Sequence, residues 1–379
     1  MSNDKRKKIA FLGTLQVALE IFEAVDSPRS LSMYLLTKSY LLDTYEPLTF
    51  ARESKGLGFN INWYDQKSIN SFRDDFMATN LLSKLPPLDD DPSLREAALL
   101  GLKESEVRNR ATSSLWCNES KVDAMLYQHG SSLDDLRGHV RKLLGRAPSL
   151  EQIVKRSYFT EGASVTFNKS KSCAARKCED GVSVTPALAR ALWPIAGVNP
   201  LISRRQSWLL VPGNLVDTVP KNIETDRTIG MEPELNALVQ RGIGDDIRHR
   251  IKRWGIDLNN QGINQSSCRL ALLWDRATLD MRNASNSVVA RVVEATFSNE
   301  WWSLLDCARS PYGTTAGRES VLDRTADWTE YSMLSSMGNG FTFEVESVLF
   351  FAIAASCGVP YEDIQIYGDD LIIPQSYVP

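Results

Sequence analysis

The chain has 379 residues, of which 43% are hydrophobic and 24% are charged, enough for a buried core and more than one structural unit. Its net charge of -4 argues against a protein that coats nucleic acid over its whole surface, but allows a local basic channel. With three histidines in all, neither a His-rich metal centre nor a Ser-His-Asp arrangement stands out, so any metal is expected to have oxygen ligands.

No membrane or targeting segment is evident. The longest strongly apolar stretch, residues 348–357, is far shorter than the roughly 20 residues that cross a bilayer, and the basic start of the chain is not followed by a signal-peptide core. The close pair Cys173 and Cys178 lacks a second Cys or His pair that would complete a zinc site. We therefore expect an intracellular, soluble protein with reduced, buried thiols.

The first part of the chain, to about residue 155, is predicted to be mainly helical. Apolar residues recur at spacings of three and four in residues 94–116 and 133–144. The prolines and aspartates at 86–91 predict a loop.

Basic residues dominate the segment 137–177, where ten Lys or Arg stand against two acidic residues. With Tyr158 and Phe159 among them, these residues are compatible with a groove that tracks a phosphate backbone. A solvated helix face followed by a basic loop is the alternative, and the local sequence favours it.

The second part of the chain is predicted to contain strands, because short apolar runs such as 208–211 and 278–281 lie among glycines and prolines. The sequence therefore predicts an α+β protein. Asp280 lies at the end of the second run and is the candidate for a carboxylate presented by a strand. Asp275 is the competitor, but a salt bridge with its neighbour Arg276 is the simpler account of that residue.

Two cations precede this region. Lys221 and Arg227 lie six residues apart, a placement that would allow them to hold a triphosphate. A surface salt-bridge cluster with Glu224 and Asp226 explains the same residues equally well.

Residues 335–340 read Ser-Ser-Met-Gly-Asn-Gly and precede an apolar helix predicted at 341–357, with Thr342 as its N-cap and Gly358 at its end. The glycines on both sides of Asn339 would let the backbone approach a ligand, and the amide can donate to and accept from a ribose hydroxyl. Taken alone, this segment is more simply an ordinary loop.

Residues 363–373 read Asp-Ile-Gln-Ile-Tyr-Gly-Asp-Asp-Leu-Ile-Ile, two short β-rich runs joined at Gly368 and Asp369. Two carboxylates about 4 Å apart repel by roughly 4 kcal/mol at an effective dielectric of 20, so a hard cation such as Mg²⁺ is their natural partner. An exposed turn with solvated aspartates is the alternative. Chance gives Tyr-Gly-Asp-Asp on the order of 0.002 times in a chain of this length and composition, which favours the metal site.

In this order, the segments resemble the replicase β subunit of the single-stranded RNA bacteriophages, the levivirus RNA-directed RNA polymerases. The resemblance extends over roughly residues 72–373. Its strongest parts are residues 219–222 with 225–227, 253–259 with 263–265, 277–285, 335–346 and 367–370, and its weaker parts are 72–73 and 106–112.

The resemblance implies a right-hand polymerase. An N-terminal and helical fingers region would occupy residues 1–264, and a palm with an antiparallel sheet would occupy residues 265–379. Motif A would lie at Asp280, motif B at 335–339 and motif C at Asp369 and Asp370. The chain ends nine residues after Asp370, so the rest of the palm and the thumb are expected to be missing.

The resemblance also implies two-metal-ion catalysis with Mg²⁺, for which Mn²⁺ can substitute. One ion, bound by Asp280 and Asp369, would lower the pKa of the 3′-hydroxyl that attacks the nucleotide, and the second would stabilise the departing pyrophosphate. The implied catalytic and metal-binding residues are Asp280, Asp369 and Asp370. The implied nucleotide-binding residues are Lys221, Arg227, Ser336, Asn339 and Asn286, and the implied RNA contacts are Gly338, Gly340 and Arg253.

This sequence departs from the family pattern in motif A. Asn286 stands where the family has a second aspartate, and Arg282 replaces a small residue, so metal balance or ribose selection is expected to differ. The implied partners are an RNA template, NTPs and, in the bacterial cytoplasm, host elongation factors Tu and Ts and a ribosomal protein, with no membrane involved. A reverse transcriptase and a non-catalytic RNA-binding or assembly protein descended from a polymerase remain as alternatives.

Overall fold

A computed structural model describes residues 3–43, 69–82, 92–168, 172–179, 181–202, 207–222, 225–271, 273–281 and 283–378. The α-helices are α1 (Asn3–Val25), α2 (Pro28–Asp43), α3 (Ile69–Asn80), α4 (Pro92–Trp116), α5 (Glu119–Tyr127), α6 (Leu133–Leu144), α7 (Leu150–Arg156), α8 (Ala174–Glu179), α9 (Pro186–Leu192), α10 (Glu234–Ile251), α11 (Gln261–Leu270), α12 (Ala284–Ser287), α13 (Ala290–Thr296), α14 (Asn299–Ala308), α15 (Arg318–Leu322) and α16 (Thr342–Ser356). The strands are β1 (Val182–Val184), β2 (Trp208–Leu210), β3 (Asn214–Asn222), β4 (Thr225–Met231), β5 (Arg276–Asp280), β6 (Tyr312–Thr314), β7 (Thr329–Glu330), β8 (Gln365–Tyr367) and β9 (Asp370–Pro374). The prediction of an α+β protein is confirmed.

The chain forms two compact units, residues 1–101 with 218–228, and residues 102–217 with 229–379. In the first unit, α1, α2 and α3 pack around a small apolar core that includes Phe11, Leu15, Phe22, Met33 and Ala78. The division of the chain between residues 264 and 265 stays a prediction.

Helix α6 begins and ends at the two limits predicted from its apolar spacing. Ser132 caps its N-terminus by accepting a hydrogen bond from the Asp135 amide, and acidic residues lie in its first turn and basic ones in its last. Leu136, Val140 and Leu143, one face of the helix, are buried in the core of the second unit, each stabilising it by about 2 kcal/mol.

Helix α4 likewise covers the predicted segment 94–116, and the loop predicted at 86–91 lies outside the described residues. The strands predicted at 208–211 and 278–281 are confirmed as β2 and β5.

Three sheets are formed in the described chain: β1 with β2 in parallel, a four-stranded sheet of order β4-β3-β6-β7, and a three-stranded antiparallel sheet of order β5-β9-β8. In the last of these, β5 and β9 pair along their full length, from Arg276 opposite Pro374 to Asp280 opposite Asp370. Chain order alone would not have placed β9 between β5 and β8. This sheet brings distant acidic residues to one end of a ladder.

Helix α16 packs against α10 and α6 and lies next to β8, in the centre of the second unit. It is buried on nearly all sides, as expected for a helix without a polar face. The prediction of Thr342 as its N-cap is wrong. Phe341 occupies that position, and the Thr342 hydroxyl instead shares a hydrogen bond with Ser335 at 2.6 Å because both are buried beneath the preceding loop.

Gly358 ends this helix with a φ of +90°, in agreement with the sequence analysis. The expectation of buried cysteines is wrong: the thiols described are free, four are exposed and Cys307 is half-buried. Three of the exposed ones, Cys117, Cys173 and Cys357, lie at helix ends, away from packed faces. Within the described ranges, no helix has both the length and the apolar character required to cross a membrane.

Candidate active site

Two of the predicted catalytic aspartates are direct neighbours across the β5–β9 ladder. Asp280 is the last residue of β5 and pairs with Asp370, the first residue of β9. The Met281 amide extends the ladder by donating to the Asp369 carbonyl at 3.4 Å. Because opposed residues of an antiparallel pair present their side chains on the same face, the carboxylates of Asp280 and Asp370 share one face of the sheet.

The turn between β8 and β9 is the hairpin predicted from the sequence. Gly368 has a φ of +66°, and a Cβ at this position would lie 2.1 Å from the Phe343 ring. Its amide donates to the Ser347 hydroxyl at 3.0 Å. Glycine is therefore required here both by conformation and by the close approach of the turn to α16. This contact fixes Asp369 and Asp370 to the central helix.

The site is strongly negative. Burial, followed by the charges of Asp369 and Asp280, raises the pKa of Asp370 above its ordinary value. A further carboxyl group, that of Glu346 on α16, interacts with Asp369 and was missed by the sequence analysis. Burial and then the charges of Asp369 and Glu344 raise the pKa of Glu346 to about 7, although a hydrogen bond from Ser285 opposes the rise.

The described side chains do not form a complete metal-binding site. Among the residues that the structure describes, no group of three or more His, Cys, Asp or Glu residues lies close enough to hold one ion. The structure therefore brings Asp280 and Asp370 together as strand partners, with Asp369 adjacent in sequence, but does not converge all three on one point.

The segment 335–340, which we call the glycine loop, is pressed against the protein itself. Gly338 has a φ of +113°, and a Cβ there would lie 2.4 Å from the Gly230 carbonyl oxygen. A Cβ on Gly340 would lie 2.7 Å from the Arg241 amide nitrogen. Both glycines therefore allow the loop to lie against other backbone segments of the protein. The sequence pattern alone could not distinguish this role from close approach to a ligand.

Two amide side chains, one in the glycine loop and one in the segment after β5, have unused hydrogen-bonding capacity. Asn339 is buried, and its Oδ1 accepts from the Phe341 amide at 2.9 Å, while its Nδ2 has no partner in the described chain. The buried Oδ1 of Asn286 also has no partner there. An unpaired buried polar atom costs about 1–3 kcal/mol, so each of these two atoms would be stabilised by a hydrogen-bonding partner.

Ser336 differs from Asn339 in that its hydroxyl is already engaged. It is buried and accepts a hydrogen bond from Asn214 Nδ2 at 2.7 Å. Its hydroxyl therefore joins the loop to β3.

Glu106 on α4 is a second functional candidate that the sequence analysis did not single out. Its carboxylate accepts from the backbone amides of Ser332 at 2.7 Å and Met333 at 3.0 Å, and from Asn109 Nδ2. Asn109 also donates to the Asn286 carbonyl at 2.8 Å. One helix thereby holds both the segment before the glycine loop and the segment after β5.

The predicted phosphate-binding cations belong to the other compact unit. Lys221 on β3 and Arg227 on β4 are both exposed. Within the described chain neither forms an ion pair with Asp226, which instead accepts from the Thr218 hydroxyl at 2.9 Å. Glu224 lies outside the described residues, as does Arg282.

The remaining basic candidates differ in exposure. Arg253 is exposed and donates through Nε to the Arg250 carbonyl at 3.3 Å. In the basic segment 137–177, Lys177 is buried and donates to two backbone carbonyls, so this cation supports the fold.

The salt bridge suggested between Asp275 and Arg276 is wrong, because Arg276 pairs with Asp363.

The structure is thus an α+β protein in which two aspartates face each other across one antiparallel ladder. The RNA replicase β-chain family matches residues 42–379. The chain is 34% identical to the RNA-directed RNA polymerase β chain of Enterobacteria phage fr over 80% of this chain and 56% of that one. It is 32% identical to that of Escherichia phage MS2 over 80% and 56%, and 30% identical to the polymerase subunit β of Escherichia virus Qbeta over 89% and 56%.

The chain therefore belongs to the RNA replicase β-chain family. It spans about half the length of the curated relatives that it matches.

Proposed function

We propose that this chain carries the catalytic region of an RNA-directed RNA polymerase that replicates a viral RNA genome. Nucleotides would be transferred from NTPs to an RNA 3′-hydroxyl as directed by an RNA template. Family membership supports this proposal, and the observation that carries it is the opposition of Asp280 and Asp370 beside Asp369 at the end of one ladder.

In this proposal the antiparallel sheet and α16 form the palm of a right hand, within residues 265–379, and residues 1–264 contain the N-terminal region and the fingers. Asp280, Asp369 and Asp370 are the catalytic carboxylates. The three-stranded sheet supports this arrangement, because β9 lies between β5 and β8 and so sets the motif A and motif C aspartates side by side.

The donor set fits a divalent metal. All three candidate ligands are carboxylates, which hard cations such as Mg²⁺ prefer. Burial and then the charges of Asp369 and Asp280 raise the pKa of Asp370, and a cation would neutralise those charges. Asp280, Asp369 and Asp370 would hold Mg²⁺, or Mn²⁺ in its place. When bound, the metal supplies positive charge that acidifies the 3′-hydroxyl and neutralises the triphosphate.

The chain's own amide groups would select the sugar. A 2′-hydroxyl both donates and accepts a hydrogen bond, and the free Nδ2 of Asn339 and free Oδ1 of Asn286 offer one group of each kind. Lys221 and Arg227, both exposed, would bind the triphosphate electrostatically. Ser336 would act mainly by anchoring the loop, since its hydroxyl is engaged by Asn214.

RNA and NTPs are the partners that this function requires. Arg253 would contact the RNA backbone, and Gly338 and Gly340 would shape the loop beside the RNA. The relatives are phage proteins, so we propose action in the cytoplasm of an infected bacterium. Recruitment of host elongation factors Tu and Ts and a ribosomal protein belongs to the same proposal.

Template-directed incorporation by the protein tests the function. With an RNA template, a primer and Mg²⁺, NTPs should be incorporated and Asp369→Asn should abolish incorporation without lowering the unfolding temperature. Asp275→Asn, just before β5, is the matched control and should remain active. Equal activity in Asp369→Asn and the control would refute the carboxylate assignment, and preference for dNTPs would favour a reverse transcriptase.

A non-catalytic RNA-binding relative is the second candidate. It is favoured by Asn286, which removes a charge from motif A, and by the lack of a closed three-ligand cluster in the described chain. Titration with Mn²⁺, followed by electron paramagnetic resonance, separates the two candidates. If the protein binds Mn²⁺ and Asp280→Asn weakens that binding, the polymerase is supported. If the protein binds RNA but no Mn²⁺, the non-catalytic relative is supported.

A further inference from the structure

A buried carboxylate lies beneath the glycine loop. Glu232, 3% exposed, directly follows β4. Its Oε1 accepts from Asn214 Nδ2 at 2.8 Å, and its Oε2 accepts from Gln240 Nε2 at 2.8 Å and from the Ser310 hydroxyl at 2.6 Å. No Lys or Arg of the described chain forms an ion pair with it, so hydrogen bonds alone compensate this buried acid.

Two of these three donor side chains also form hydrogen bonds with the glycine loop. Asn214 Nδ2 also donates to the Ser336 hydroxyl at 2.7 Å, and Gln240 Oε1 accepts from the Gly340 amide at 3.3 Å. Glu232 is thus connected through one intermediate side chain to each end of the segment that contains Asn339.

Glu232 is the shared acceptor of both amide side chains, which turn their NH₂ groups toward it. Their other contacts agree with that orientation: Asn214 Oδ1 accepts from the Tyr331 hydroxyl at 3.1 Å, and Gln240 Nε2 donates to the Ala308 carbonyl at 2.9 Å. A change at Glu232 would therefore propagate to both loop contacts.

The loop has little freedom to absorb such a change. The Gly230 amide donates to the Met337 carbonyl at 2.7 Å, and Gly338 packs against the Gly230 carbonyl. Asn339 lies between these contacts, and its Oδ1 is fixed by the Phe341 amide. The direction of its free Nδ2 consequently depends on how both loop ends are held.

We propose that Glu232 is a positioning residue that holds the glycine loop through Asn214 and Gln240 and so directs Asn339 Nδ2 toward the sugar of the incoming ribonucleotide. The choice of sugar as ligand rests on the proposed polymerase function. Positioning of the loop itself does not.

Glu232→Gln tests this role with almost no change of volume. Its NH₂ group must face at least one of the three donors, which breaks the network. The matched control is Glu234→Gln, two residues along the chain. Glu234 is fully buried and accepts from the Ser183 amide and hydroxyl and from the Thr166 amide, none of which contacts the glycine loop.

Hydrogen exchange of a peptide spanning 335–341 is the deciding measurement. In Glu232→Gln the Gly340 amide should exchange about tenfold faster than in Glu234→Gln, at matched losses of global stability. Equal exchange in the two variants would overturn the proposal. Ser310→Ala removes only one donor to Glu232 and should accelerate exchange of the Gly340 amide by a smaller factor. If Glu232→Gln fails to fold, Ser310→Ala decides the test, and unchanged exchange in it would overturn the proposal.

Nucleotide selection is the second readout. Glu232→Gln should lower the preference for ATP over dATP about tenfold through the KM for ATP, whereas a purely structural defect would reduce kcat for both nucleotides equally. Unchanged selection would overturn the link to the sugar. Lack of synthesis by the unaltered protein would instead refute the polymerase function, and the exchange result would still decide the positioning role.

Discussion

Asp280→Asn should stabilise the protein in the absence of divalent ions while it abolishes activity. Asp280 faces Asp370 directly across the β5–β9 ladder, and burial and neighbouring charge raise the pKa of Asp370. An asparagine keeps the shape and hydrogen bonding of the side chain but removes one of the repelling charges. The charge of Asp280, which catalysis would require, thus lowers the stability of the folded protein.

The size of the effect follows from the geometry. Side chains of opposed residues in antiparallel strands are about 5 Å apart at Cβ. Two unit charges at that distance repel by about 3 kcal/mol at an effective dielectric of 20, and because Asp280 is exposed, solvent screening reduces this to about 1 kcal/mol. For a protein of this size, that difference raises the unfolding temperature by roughly 2 °C.

Thermal unfolding in EDTA and in excess Mg²⁺ provides the assay. The unaltered protein should gain about 1.4 kcal/mol at a free Mg²⁺ concentration ten times its dissociation constant, and Asp280→Asn should gain much less. The order of stability should therefore reverse between the two buffers.

Asp275→Asn is the control, because Asp275 lies just before β5 with a φ of +51°, a conformation that asparagine tolerates. It should match the unaltered protein in both buffers. A lower stability of Asp280→Asn in EDTA, or an undiminished gain from Mg²⁺, would refute the reasoning.

Three further outcomes follow from the same geometry. Asn339→Ala should reduce the preference for ribonucleotides about tenfold in competition between ATP and dATP, because the free Nδ2 is lost, and unchanged preference would remove its role. Gly338→Ala should destabilise the protein by roughly 2 kcal/mol or more in denaturant unfolding, since a Cβ would lie 2.4 Å from the Gly230 carbonyl oxygen, and wild-type stability would contradict this. Glu346, with a pKa raised to about 7, favours folding when protonated, and that contribution is lost as the pH rises through 7. In ion-free buffer Glu346→Gln should therefore be roughly 3 kcal/mol more stable than the unaltered protein at pH 8, and an identical pH dependence of the two would contradict the assignment.

Local features of the fold could be predicted because their causes lie close together in the sequence. The limits of α6 follow from its apolar spacing, its Ser132 cap and the charges at its two ends. The turn at Gly368 follows from a glycine between two β-rich runs, and the structure adds only the reason that no side chain fits there. The aspartates were found for the same reason, since each lies at a recognisable strand end.

The supporting residues could not be predicted because their partners are distant in the chain. Glu106 binds the amides of Ser332 and Met333 across separations of 226 and 227 residues, and no spacing rule connects such positions. In the sequence, Glu232 is merely an acidic residue between a strand and a helix. Only the structure reveals the three side chains that donate hydrogen bonds to it.

The error at Thr342 has a similar origin. A threonine near the start of an apolar helix is a reasonable cap, but tertiary packing buries it against Ser335, and the helix begins one residue earlier than that assignment requires. Glu346 shows in the sequence only as an acidic residue near the start of the same helix, whereas its burial beside Asp369 makes it part of the carboxylate site.

Crystals of the protein grown with Mn²⁺ and a nucleoside triphosphate would test the central claim most directly. Anomalous scattering should reveal a metal about 2.1 Å from carboxylate oxygens of Asp280 and of Asp369 or Asp370, with the triphosphate beside it. A bound triphosphate with no metal at these aspartates, or with its metal held elsewhere, would contradict the proposed catalytic site.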